Sequence, residues 1–272
     1  MSSLLFYENP IALNSETHRN LKIKPSGEGL KFSGKTNSVL LAAIEFPEAC
    51  KHFPIVFAKV GDQRVLPVAL LGFRDLENLF VDASGQWKSE YVPAYIRRYP
   101  FVLAKADAGG QFTVCIDESY PGFGADEGQP LFNEKGESTD YLKGVVGFLQ
   151  EYQAQLDRTD KFLAALRDCD LLIDVAANVK LPDGESFSIA GLMMVDERRL
   201  QALPEAQILR LFRSGDLAWV FSHLISISNF SRLPRQGLPT EALPSASAPP
   251  APGKAPPATS KHQFQTQKPA KK

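Results

Sequence analysis

Residues 55–71 read Ile-Val-Phe-Ala-Lys-Val-Gly-Asp-Gln-Arg-Val-Leu-Pro-Val-Ala-Leu-Leu. Two apolar, β-branched runs, 55–60 and 64–71, flank Gly61-Asp62-Gln63, and that pattern predicts an antiparallel hairpin. A second hairpin is expected where 101–106 and 111–116 flank Ala108-Gly109-Gly110; Phe112, Val114 and Ile116 then share one face at period two. A third brackets Leu181-Pro-Asp-Gly184, between 171–180 and 186–194. Hairpins dominate the first half of the chain. Helical periodicity is concentrated in the second half, so the pattern predicts an α+β fold: antiparallel hairpin-rich sheets, then packed helices.

The helices follow from spacing and breakers. Pro47 suits the first turn of a short helix, 47–52, that Pro54 ends. From Ser138 apolar residues recur at Tyr141, Val145, Phe148, Leu149, Tyr152 and Leu156, one stripe at helical spacing, with Gly144 and Gly147 weakening it by about 1 kcal/mol each. Residues 160–168 continue as a second helix. Pro204 opens a helix to Phe212. The last helix starts at Ser214-Gly215-Asp216 and carries two stripes: Leu217, Val220, Phe221, Leu224 and Ser228, then Trp219, His223, Ser226 and Phe230. Two stripes predict burial on all sides. Leu79–Gly85 and Leu131–Gly136 both read as a strand end followed by an acidic turn closed by glycine. Two short copies do not make a repeat.

Composition bounds the function. With 44% hydrophobic and 22% charged residues the chain reads as globular. Beyond Pro234 six Lys or Arg meet the single Glu241, which leaves a net charge of −6 on residues 1–233 out of −1 overall. An acidic body lacks the cationic face that specific nucleic-acid binding needs. The Pro/Ala/Lys-rich end, 234–272, cannot bury enough apolar area to offset its ordering entropy and is expected to be disordered. The domain is therefore 1–233. Cysteines 50, 115 and 169 have no metal or disulfide spacing. No apolar run approaches the roughly 20 residues of a membrane span. The N-terminus has no basic, apolar leader, so a cytoplasmic location is expected, with surface association by another route left open.

Residues 87–101, Trp-Lys-Ser-Glu-Tyr-Val-Pro-Ala-Tyr-Ile-Arg-Arg-Tyr-Pro-Phe, are the candidate site. Pro93 and Pro100 allow one turn of helix between them, 94–98. Five aromatics and an arginine pair make a rigid cationic surface suited to stacking and to gripping a carboxylate or phosphate. The candidate ligand-binding residues are Trp87, Tyr91, Tyr95, Arg97, Arg98 and Tyr99. One arginine is expected to pin the loop internally on Asp75, Glu77 or Glu90, and Arg98 is expected to be the outward one.

No catalytic residue, cofactor or metal site is expected. Histidines 18, 52, 223 and 262 form no metal spacing, and His223 reads as a hydrogen-bonded core residue. No phosphate-loop or nucleophile-elbow motif occurs. Asp117-Glu118 and Asp126-Glu127 read as solvated turn acids, the first pair standing as the only acid/base candidate.

Several words of the chain resemble the SapC family of bacterial proteins: Ile44-Glu-Phe-Pro-Glu-Ala49, Phe53-Pro-Ile-Val-Phe57, Asn78-Leu-Phe-Val-Asp82 and Tyr91–Phe101. Cys115-Ile-Asp117, Pro130-Leu-Phe132, Val195-Asp196 and Gly215-Asp-Leu217 add to it, over residues 6–233. The resemblance implies an accessory or binding protein linked to the cell surface layer or to nutrient uptake, and it brings no established functional residues. The partner implied is a protein or a small molecule. The alternative is an enzyme acting on a carboxylate-bearing or sugar-like ligand at the 87–101 loop.

Overall fold

The computed structural model describes residues 5–61, 64–105, 112–180 and 186–233. The chain opens with the short strands β1 (Pro10–Ala12), β2 (Lys22–Ile23) and β3 (Ser38–Leu40), then the one-turn helix α1 (Phe46–Ala49). Strands β4 (Ile55–Val60) and β5 (Arg64–Leu70) precede a long connection that holds the one-turn helix α2 (Ala94–Arg97). Strands β6 (Phe101–Lys105) and β7 (Phe112–Asp117) lead to two-residue strands β8 (Phe123–Gly124) and β9 (Gln129–Pro130). Helix α3 (Asp140–Asp168), strands β10 (Leu172–Lys180) and β11 (Ser186–Val195), and helices α4 (Glu197–Gln201), α5 (Glu205–Arg213) and α6 (Asp216–Ser226) follow. The architecture is mixed α+β, as expected. The turns expected near 109 and 182, and the tail expected at 234–272, lie outside the described residues.

All three expected hairpins pair antiparallel, in registers such as Val56↔Val68, Val102↔Cys115 and Ile173↔Met194. The first and third join one sheet of order β10-β11-β4-β5-β3 through Met193↔Phe57 and Val39↔Ala69. Strand β4 is central there, which is why Ile55, Val56 and Phe57 are all buried rather than alternating. The second hairpin sits in a separate sheet, β1-β7-β6, with Ile116 buried and Phe112 exposed at its far end. A small third sheet, β8-β2-β9, has strands too short to leave a periodic signal in the sequence.

Two acidic turns are built to one plan, with the second displaced from the first by 51 positions (82 to 133). Asp82 N–H donates to Gln86 O (3.0 Å) and Gly85 N–H to Asp82 O (2.9 Å), while Asn133 and Gly136 make the same bonds at 2.9 Å to Glu137 O and Asn133 O. Asp82 Oδ1 accepts from the N–H groups of Ser84 and Gln86, as Asn133 Oδ1 does from Lys135 and Glu137. Bridges Val81↔Trp87 and Phe132↔Ser138 close both. The first turn feeds the segment that carries α2. The second feeds α3, whose N-cap Thr139 accepts a hydrogen bond from Leu142 N–H.

Two helical expectations are corrected. Residues 140–168 form one continuous helix of 29 residues, about 43 Å long, rather than two. Its polar middle has tertiary partners that keep it helical: Thr159 Oγ1 accepts from Ala43 N–H at 2.8 Å, and Arg158 pairs with the buried Asp216. Helix α6 is not buried on all sides, because Phe221 and Ile225 are 49% and 64% exposed. Its inward face is instead partly polar. His223 Nδ1 donates to Ile55 O (2.9 Å) while Nε2 accepts from Val195 N–H (3.1 Å), and Ser226 Oγ accepts from Ile55 N–H (3.0 Å). These bonds stitch α6 across β4 and β11.

Two hydrophobic clusters result. The larger packs the five-stranded sheet, α1 and the second half of α3 around Phe46, Phe53, Phe57 and Phe162. The smaller gathers Phe101, Ile116, Leu131 and Leu142 beside the first half of α3. Phe148 touches both, and the candidate loop lies there.

Candidate ligand-binding cleft

Pro93, in extended geometry, delivers the chain into α2. One buried carboxylate then holds that helix. Glu45, 6% exposed, accepts from Ala94 N–H (2.7 Å) and the Tyr91 hydroxyl (2.8 Å) through Oε1, and from Ala42 N–H (2.9 Å) through Oε2. Burial pushes its carboxyl above the usual carboxylate range, opposed by those three donors and by the Arg97 charge. Burial and then the Glu45 charge raise the Tyr91 hydroxyl in turn. Glu45 lies in the Ile44–Ala49 word of the sequence, but nothing local marks it as the support of a loop nearly fifty residues away.

The six candidate residues divide into three groups. Trp87 donates from Nε1 to Tyr91 O (2.9 Å) and stacks on Phe80, so Trp87 and Tyr91 brace the loop. Tyr95, Arg98 and Tyr99 enter an aromatic cluster with Tyr7, Phe32 and Tyr152. Arg97 points to the surface, its guanidinium 5.3 Å from the Phe148 ring centroid and its Nε donating to Val92 O (3.0 Å). One arginine faces inward and one outward, as expected of neighbours in a turn of helix. The assignment is reversed. Arg98 is the inward residue and Arg97 the exposed one, because Tyr95, the neighbour three positions earlier on the helix, leads Arg98 into the core.

Arg98 is also held differently from the expected pin. Its guanidinium lies 3.9 Å from the Tyr95 ring centroid, 5.7 Å from that of Tyr152 and 5.8 Å from that of Tyr7. Asp75 and Glu77 are engaged elsewhere, with Asn37 and Arg74, and no ion pair joins Arg98 to a described carboxylate. Its Nε and the Tyr152 hydroxyl are buried with no hydrogen-bond partner among the described residues. Each such group costs roughly 1–3 kcal/mol, and more when charged. Burial raises both the Tyr7 and Tyr152 hydroxyls, and the Arg98 charge works against it.

A cleft of about 470 Å³ opens over this region, between 97–101 and the first half of α3, with Arg97, Arg98, Tyr99, Tyr120, Tyr141 and Phe148 in its wall. A shallower groove of about 490 Å³ shares Arg97, Tyr141, Val145 and Phe148 and continues past Gly144. The apolar stripe of α3 is thus open along its N-terminal half. Tyr141 is 38% exposed, whereas Leu149 and Tyr152 are buried.

The acids near the cleft are committed to structure. Buried Asp117 accepts from the N–H groups of Asn9 (2.9 Å) and Glu8 (3.0 Å), from the Ser119 hydroxyl (2.8 Å) and from the Tyr99 hydroxyl (3.1 Å). Burial disfavours its charge, yet the hydrogen bonds from Asn9, Glu8 and Ser119 outweigh that and hold it below the usual range. Glu118 accepts from Asn9 Nδ2, so the pair acts as a tie to the N-terminal segment rather than as an acid and base. Glu127 is paired with Lys24. No three His, Cys, Asp or Glu side chains converge as a metal site among the described residues, and no described helix is long and apolar enough to cross a membrane.

The SapC family model matches residues 13–233. No curated protein and no solved structure matches the chain.

Proposed function

The chain belongs to the SapC family, and from that premise we propose that it is an accessory or binding protein of the cell surface or of nutrient uptake, which holds its ligand in the cleft between 97–101 and α3. One observation carries the reading: Arg98 reaches the cleft wall as a cation without a carboxylate partner among the described residues. A guanidinium only donates, and an anion's oxygens accept from its planar fork. The nearby carboxylates support binding over catalysis. Glu45 and Asp117 spend their oxygens on backbone and tyrosine donors, so neither is free as a base.

The test is a fragment screen on the full chain, read by amide chemical shifts. Small anions are expected to perturb 97–101 and 141–148 together. Perturbations confined to other surfaces, or none at any fragment concentration, overturn the cleft as the binding site.

A further inference from the structure

We infer that the cleft takes a small aromatic carboxylate, its oxygens on the Arg98 guanidinium and its ring against the exposed stripe of α3. The inference rests on the cleft-binding reading above and names the ligand class. The head group follows from the Arg98 guanidinium in the cleft wall, which meets no carboxylate among the described residues. Guanidinium nitrogens only donate, and a carboxylate accepts from their planar fork in two places.

Charge selects a monoanion over a phosphate. Among the described residues of the cleft wall, Arg98 is the cation that turns inward, held by the Tyr7, Tyr95 and Tyr152 rings rather than by an acid. Arg97 is turned to Val92 O and Phe148, and its charge also acts on Glu45 and Tyr91. Lys24, on the cleft's other wall, is paired with Glu127 at 2.9 Å. Asp117 lies behind Tyr99 as a fixed negative charge. A dianion would meet that one inward cation and two buried acids, Glu45 and Asp117, and would be repelled.

The body of the ligand follows from the walls. Tyr99, Tyr120, Tyr141 and Phe148 offer ring faces and edges, and about 470 Å³ suits a molecule of one ring with a short acid arm. Gly144 leaves the far side open: a Cβ placed there meets nothing within 4 Å.

The experiment is calorimetric titration of the full chain with 3-phenylpropionate, its neutral amide, phenyl phosphate and acetate. Phenylpropionate is expected to bind saturably, and the amide and acetate at least tenfold more weakly, the first for want of charge and the second for want of a ring. Arg98→Lys keeps the charge but loses the fork, and is expected to weaken binding about tenfold. Gly144→Trp fills the groove from an exposed helical position, so it is expected to abolish binding while the melting temperature holds. Phenyl phosphate binding tenfold tighter than the carboxylate, and lost in Gly144→Trp, overturns the ligand class and leaves the cleft as the site. Phenylpropionate binding that is unchanged in both Gly144→Trp and Arg98→Lys overturns the cleft itself. Absence of saturable binding by all four probes overturns the inference.

Discussion

Arg97 and Arg98 are neighbours with unlike environments, and their stabilities on substitution should differ accordingly. Arg98 sits over the Tyr95 ring at 3.9 Å with its Nε buried, and a desolvated cation–π contact is worth about 2 kcal/mol before packing of the stem is added. Arg98→Ala is therefore expected to cost roughly 2–4 kcal/mol in urea unfolding, and Arg97→Ala under about 1 kcal/mol. Equal losses would mean that the inward and outward assignment is wrong. Glu45 is the other decisive residue, since its two oxygens accept from two backbone N–H groups and a tyrosine hydroxyl. Glu45→Gln replaces one acceptor by a donor facing another donor, and is expected to cost roughly 2–3 kcal/mol in the same measurement.

At the scale of elements, two glycines with opposite surroundings separate a turn from a helix. Gly85 closes the first acidic turn at φ +87°, and an added Cβ would lie 1.8 Å from Glu28 O. Gly85→Ala is expected to cost roughly 2–4 kcal/mol, because strain and a backbone clash coincide. Gly144 lies in α3 with open space around it, so Gly144→Ala should stabilise by up to about 1 kcal/mol. Thermal unfolding of the two variants checks both signs, and a destabilised Gly144→Ala would show that the groove does not tolerate even a methyl group. Helix α6 adds a third case. Trp219 is half-buried, edge-on to Phe162 at 5.4 Å and under the Arg158 guanidinium at 4.5 Å. Its loss to alanine is expected to cost about 2–3 kcal/mol rather than the roughly 3–5 of a fully enclosed ring.

For the whole molecule, His223 links stability to pH. It is fully buried between Ile55 O and Val195 N–H, and burial lowers its pKa from 6.5 to about 4 despite the hydrogen bond to Ile55. The unfolded imidazole takes up a proton as pH falls through 6.5, while the folded one stays neutral until about 4. Stability from this group is thus complete above neutral pH and falls across that window, by roughly 3 kcal/mol in all. Urea unfolding at pH 7.5, 5.5 and 4.5 should show the slope, and His223→Gln, less stable at pH 7.5, should flatten it. An unchanged slope in that variant would assign the pH dependence to the carboxylates. Because His223 joins α6 to β4 and β11, the loss should appear in the global transition rather than as local fraying.

The hairpins, the glycine-closed turns and the bend between Pro93 and Pro100 were legible in the sequence, because turn chemistry and period-two alternation act between residues a few positions apart. The aromatic and cationic character of 87–101 was equally legible. Tertiary structure alone decided the rest. Arg98 turns inward because Tyr95, Tyr7 and Tyr152 gather around it, and Tyr7 and Tyr152 reach it from distant parts of the chain. Residues 157–160 remain helical because Ala43 and Asp216 satisfy Thr159 and Arg158. Tyr141 and Phe148 line a cleft rather than a core because nothing among the described residues covers the first half of α3 as fully as the sheet covers the second. Periodicity tells which side of a helix is apolar. What meets that side depends on segments whose approach no local pattern encodes.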